Sequence, residues 1–136
     1  MATGTDNTTV SRDSHHQMVH TLRKGITFAD IDSTVTVGVL PIGAIVVGGG
    51  VLVSTAFNSA TSDTVGIGTS ADPNGIATLL AVSTAGLIVA DELATSDDLG
   101  PYTAATTIVA DQVSTGTAAT AGSGEIYIQY ICDNDG

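Results

Sequence analysis

The chain has 136 residues, enough for one domain and too few for two that could each fold comfortably. Fourteen Asp and Glu stand against three Lys and Arg, for a formal net charge of −11. Arg12, Arg23 and Lys24 are the only basic residues besides histidine, so residues 25–136 are purely acidic; such a surface repels phosphate backbones and argues against a nucleic-acid partner.

The hydrophobic fraction is an ordinary 43%, but it is built mainly of Ala, Val, Ile and Leu. There is no Trp, and the aromatics are Phe28, Phe57, Tyr102, Tyr127 and Tyr130, which read mostly as core. Small side chains bury little area each, at about 25 cal/mol per Å². Contacts between subunits are therefore an expected source of further burial, and an oligomer is expected. Cys132 is the single cysteine, which excludes an internal disulfide and a Cys-based zinc site.

Residues 1–24 read as an extended N-terminal arm and 25–136 as the folded body. The first 18 residues are polar and without apolar period, so neither a secretory leader nor a fixed structure is expected there. From Val19 onward Val, Ile and Thr dominate, with turn residues at short intervals, and strands are expected at 20–30, 33–40, 44–57, 63–69, 76–83, 86–91, 105–114 and 124–132. Pro41-Ile42-Gly43 should join the second and third strands tightly. Asp72-Pro73-Asn74-Gly75 is a strong turn, with Asn74 able to accept the left-handed region. Gly48-Gly49-Gly50 lies inside a strand pattern and suggests a bulge or a close backbone approach. The uncharged run Ser33–Ser62 is long enough for a membrane span, but Pro41 and its five glycines favour two paired strands, and no membrane partner is expected.

Gly86–Ala90 is apolar on both sides, which predicts a central strand or a subunit interface. In the last strand Ile126, Ile128, Tyr130 and Cys132 share the expected core face, and Glu125, Tyr127, Gln129 and Ile131 the other. Helix is expected only as a turn or two within 91–99. The whole predicts an all-β fold, a single-domain β-sandwich in its eight-stranded jelly-roll form.

Catalytic patterns are weak. Nucleophilic catalysis needs a positioned base, and the only histidines, His15, His16 and His20, lie in or beside the arm. His16 and His20 have the i, i+4 spacing of a helical metal pair, but their neighbours do not favour helix. Asp30 and Asp32 read as a solvated strand end rather than a glycosidase pair. Asp91, Glu92, Asp97 and Asp98 match no calcium loop and read as an exposed acidic loop. Gly66-Ile67-Gly68-Thr69 lacks the Lys of a phosphate loop. No enzymatic activity, cofactor or metal is expected.

The stretches Leu40-Pro41-Ile42-Gly43-Ala44-Ile45-Val46-Val47-Gly48-Gly49 and Val51-Leu52-Val53-Ser54-Thr55-Ala56-Phe57-Asn58 carry a resemblance, together with Thr61-Ser62-Asp63-Thr64 and Glu125-Ile126-Tyr127-Ile128-Gln129-Tyr130. They resemble small structural proteins of tailed bacteriophages, above all the capsid cement or decoration proteins of the head. The resemblance implies a virion protein on the outer surface of the capsid, trimeric, with the major capsid protein as partner. On that reading the arm makes the capsid contact through Arg12, His15, His16, Val19, His20, Leu22, Arg23 and Lys24. Val19 and Leu22 would act by packing or strand addition. A tail or neck component is the structural alternative, and a carbohydrate-binding or adhesion module the binding alternative.

Overall fold

The structure, a computed structural model, describes residues 18–30, 32–90, 93 and 98–132. Alternating β-branched residues set the local conformation, and eight strands result: β1 (His20–Thr27), β2 (Thr34–Leu40), β3 (Ile45–Thr55), β4 (Ser62–Thr69), β5 (Ala77–Ala81), β6 (Gly86–Val89), β7 (Thr106–Thr115) and β8 (Ser123–Ile131). Each coincides with an expected segment to within three residues at either end. They form two antiparallel four-stranded sheets, β1-β8-β3-β6 and β2-β7-β4-β5. The pairs β1–β8, β2–β7, β3–β6 and β4–β5 nest as one long hairpin with its tip between β4 and β5. Pairing of β8 with β3 and of β7 with β4 completes the two sheets. The fold is an all-β sandwich.

One expectation fails here. The two Val-rich runs flanking Pro41 are not paired with each other: β2 pairs β7, whereas β3 pairs β8 and β6. The Pro41 turn is tight, with Ala44 N donating to Pro41 O at 3.2 Å and Gly43 at φ 82, but it carries the chain from one sheet to the other. No described helix is long and apolar enough to cross a membrane.

The core lies between the sheets and is aliphatic. Leu40, Val51, Val65, Ile67, Ile76, Val82, Ile108, Ile126 and Ile128 are fully buried, and Phe57 is the largest of the fully buried side chains. Of the five aromatics only Phe57 and Tyr102 are buried; Phe28 is exposed, and Tyr127 and Tyr130 are half-buried, so the expectation of a mostly core role is corrected. Cys132 falls just past the end of β8 and is likewise half-buried rather than a core hydrophobe. β6 is an edge strand with Leu87 and Val89 in solvent, which removes the central-strand reading and leaves the interface reading.

Phe57 depends on a neighbour without a side chain. Gly122 sits at φ 146 against the Phe57 ring, and a Cβ there would collide with ring carbons. The triple glycine behaves as expected: a bulge falls between Val46 and Gly48, and a Cβ on Gly50 would collide with the Ile88 carbonyl of β6. In the Asp72–Gly75 turn, Gly75 N donates to Asp72 O at 3.0 Å. Asn74 keeps a negative φ, so the left-handed conformation it could have taken is not used.

Three polar side chains are buried in β4 and β7: Asp63, Thr69 and Gln112. Asp63 accepts hydrogen bonds from Ser59 N at 2.8 Å and from Ser114 Oγ. Burial pushes its carboxyl up, but the Ser114 and Ser59 hydrogen bonds outweigh this and hold it below the usual carboxylate range. Gln112 projects beside Val65, and its Nε2 and Oε1 have no hydrogen-bond partner among the described residues.

Candidate interaction surface

The structure describes five of the eight expected contact residues. Arg12, His15 and His16 lie outside the described residues. His20, Leu22, Arg23 and Lys24 belong to β1, which pairs along its whole length with β8, so they are strand residues of the sandwich. Val19 is exposed just before that strand.

Alternation along β1 divides these residues between two faces. His20 stands opposite Tyr130 and stacks on its ring, centroids 5.4 Å apart and planes 26° from parallel. Burial, together with nearby Cys132, pushes the Tyr130 phenol up. Leu22 stands opposite Ile128 and packs against the core, with its methyl carbons over Gly38 of β2. Lys24 shares that face, opposite Ile126, yet keeps contact with solvent at the sheet edge. An inward-aimed charge on an edge strand discourages pairing with another chain. Arg23 is on the outer face and is ion-paired with Glu125 of β8.

The acidic candidates are structural where they are described. Asp30 ends a 3-10 turn at Phe28–Asp30, and its carboxylate accepts from Thr27 N at 2.8 Å. Asp32 follows at φ 56, a conformation that Asp tolerates better than most residues. Asp91, Glu92 and Asp97 lie outside the described residues. Asp98 accepts from Thr69 Oγ1 at 2.9 Å, and its backbone oxygen accepts from the Tyr102 hydroxyl at 2.7 Å. Burial and the Asp98 charge push the Tyr102 phenol up to about 12. Gly66-Ile67-Gly68-Thr69 is the second half of β4, a strand and not a phosphate-binding turn. Among the described residues no three His, Cys, Asp or Glu side chains gather as metal ligands would.

What stands out is the outer face of the β1-β8-β3-β6 sheet. Leu52 of β3 lies beside Leu87 of β6, and Gly50 beside Val89. On the other side Leu52 meets Glu125, Gly50 meets Tyr127 and Gly48 meets Gln129. The floor at Gly48 and Gly50 is low: a Cβ there would fall 2.7 Å from Gln129 Oε1 and 3.1 Å from the Tyr127 hydroxyl. Over this floor Leu52, Leu87, Val89 and Val47 are 49%, 60%, 57% and 46% exposed. Sequence alternation separates Tyr127 and Gln129 from the core set, but it does not reveal that Leu52 and Leu87 are neighbours. That adjacency comes from long-range pairing.

The chain is similar in fold to chains of two phage capsids. It matches a chain of the cyanophage Pam1 capsid asymmetric unit with a TM-score of 0.63 and 20% identity, over 85% of each chain. It matches a chain of the acidic stable capsid structure of Helicobacter pylori bacteriophage KHP30 with a TM-score of 0.55 and 16% identity, over 85% of this chain and 89% of that one. No family model matches the sequence, and no curated protein does. At these identities the likeness is one of fold: the sandwich described above is an architecture that phage capsids also contain.

Proposed function

We propose that the protein is a structural component of a tailed-phage virion, a capsid cement or decoration protein that binds the outside of the head and bridges neighbouring capsomers. The observation that carries this reading is the shared fold, over most of both chains, with chains of two phage capsids. The major capsid protein is its partner, and copies of the chain associate, as a trimer on the resemblance read from the sequence. The nested strand pairs support assigning the sandwich as a jelly roll.

Physical properties fit the role. A body with no Lys or Arg beyond Lys24 is suited to the outside of a shell, away from packaged DNA. Its net charge keeps it soluble at the high copy number that cement requires. The N-terminal residues make the capsid contact, with Arg12, His15 and His16 preceding β1 in sequence and Val19, Arg23 and Lys24 at the sheet edge. Cross-links of this kind add buried area between capsomers and resist pressure from within.

The test is a copy-number measurement. Virions carrying the gene are purified and the chain is quantified against the major capsid protein by mass spectrometry with labelled standards. A copy number that scales with the capsomers supports cement. A count fitting a single ring moves the protein to the neck or tail, and absence from the particle refutes a virion role.

A further inference from the structure

We propose that the outer face of the β1-β8-β3-β6 sheet, centred on Leu52, Leu87 and Val89, is the surface on which a second copy of this chain docks. The proposal rests on the self-association part of the proposed function and assigns it a place.

Charge selects the occupant. The chain carries a net −11, so two copies repel each other over most of their surfaces. Strand residues aimed at this face include one cation and one anion, Arg23 and Glu125, and these already neutralise each other. A basic partner would be drawn to the uncompensated carboxylates elsewhere and would gain nothing here. The face suits a partner that is itself acidic, and the acidic protein present at equal concentration is the chain itself.

Shape and edge chemistry agree. Leu87 and Val89 of β6 adjoin Leu52 and Gly50 of β3, so the exposed apolar side chains are contiguous and flank glycines over which the polar ends of Tyr127 and Gln129 lie. The opposite edge of the same sheet, β1, carries Arg23 and the inward-aimed Lys24, features that block strand addition. The β6 edge, Gly86-Leu87-Ile88-Val89, has neither charge nor proline. Among the described residues one edge of the sheet is guarded and the other is open, and the apolar side chains lie beside the open one.

Size-exclusion chromatography with light scattering on the full chain tests this over a range of concentrations, against a monomer mass of 13.5 kDa. The wild type is expected to run as an oligomer. Leu87→Glu and the milder Leu87→Ser should each weaken self-association by about tenfold or more, because a largely exposed leucine would lose its burial in the contact. Val39→Glu, at a residue 55% exposed on the other sheet, should leave the mass unchanged. Far-ultraviolet circular dichroism confirms that each variant is folded, and an unfolded Leu87→Glu leaves the decision to Leu87→Ser. A wild type that is monomeric throughout overturns self-association itself. An oligomer that survives both Leu87 variants, or that Val39→Glu breaks equally, overturns the surface while leaving self-association intact. Head binding is scored separately, so a folded monomeric variant that still decorates heads leaves the cement reading standing.

Discussion

Gln112 offers a sharp test of the core. It is 2% exposed, and its primary amide has no partner among the described residues. Its backbone is committed, since Gln112 O accepts from Asp32 N at 2.8 Å. The side chain alone is therefore in deficit. A buried amide left unpaired costs about 1–3 kcal/mol. Methionine has the same chain length and no hydrogen-bonding demand, so Gln112→Met removes that cost, and repacking returns less than about 1.5 kcal/mol of it. The expected net gain is about 1–2 kcal/mol, or a melting temperature raised by roughly 4–8 °C for a domain of this size. Urea denaturation followed by circular dichroism should show the midpoint move up with the slope unchanged. Gln112→Leu should follow in the same direction, and Gln112→Glu should destabilise strongly by burying a charge. If neither apolar variant raises the midpoint, the amide is satisfied in solution and the reasoning is wrong.

Four other outcomes are expected. Gly122→Ala should lose about 2–4 kcal/mol, because it combines an unfavourable backbone conformation with a clash against the Phe57 ring, and calorimetry would register it as a lowered melting temperature. Asp63→Asn should cost about 1.5–3 kcal/mol at neutral pH. The folded carboxyl titrates below its ordinary value of 3.8, so this contribution is full above about pH 4 and is lost as pH falls toward the folded value; the gap between wild type and variant in acid titration melts should close over that range. Arg23→Ala should change stability by less than about 1 kcal/mol, since its pair with Glu125 is exposed to solvent, and chemical denaturation would detect a larger effect. Removing residues 1–17 should leave a cooperative melt and abolish head binding, whereas removing 1–24 also deletes most of β1 and should unfold the sheet edge; a truncated 18–136 chain that decorates heads fully would refute the arm contact.

The strands were legible because their signals are local. Val, Ile and Thr runs broken by Pro41, Pro73 and the glycines mark all eight, and the faces of β8 follow from simple alternation. The partition into sheets was not legible. Val35–Val39 and Ile45–Val53 sit on either side of one tight turn, which suggests a hairpin, yet the first pairs β7 and the second pairs β8 and β6, all far along the chain. The same gap misplaces Gly86–Ala90, whose apolar sequence suits a central strand but which ends at an edge. It also explains the aromatics, since tertiary placement that no short window encodes leaves Phe28 exposed and Tyr127 half-buried. At the proposed contact surface, residue types mark Arg23 and Lys24 as charged handles. Only the register reveals that one is spent on Glu125 and the other aims along the inner face.

The position of β8 governs how the molecule is made. It lies between β1 and β3 and is the last of the eight strands in chain order. Until it is made the first sheet exists as separate pieces: β1 has no partner, and β3 can pair only with β6. Closure of that sheet awaits synthesis of β8, and it demands contacts between strands far apart in sequence, a topology that folds slowly. During that interval the apolar inner side of β3 is less covered, and the chain would be at its most aggregation-prone. A synthetic peptide of β8 supplied to a chain that ends before residue 123 would meet a ready slot with two hydrogen-bonding edges, which makes this fold a natural candidate for reconstitution from two fragments.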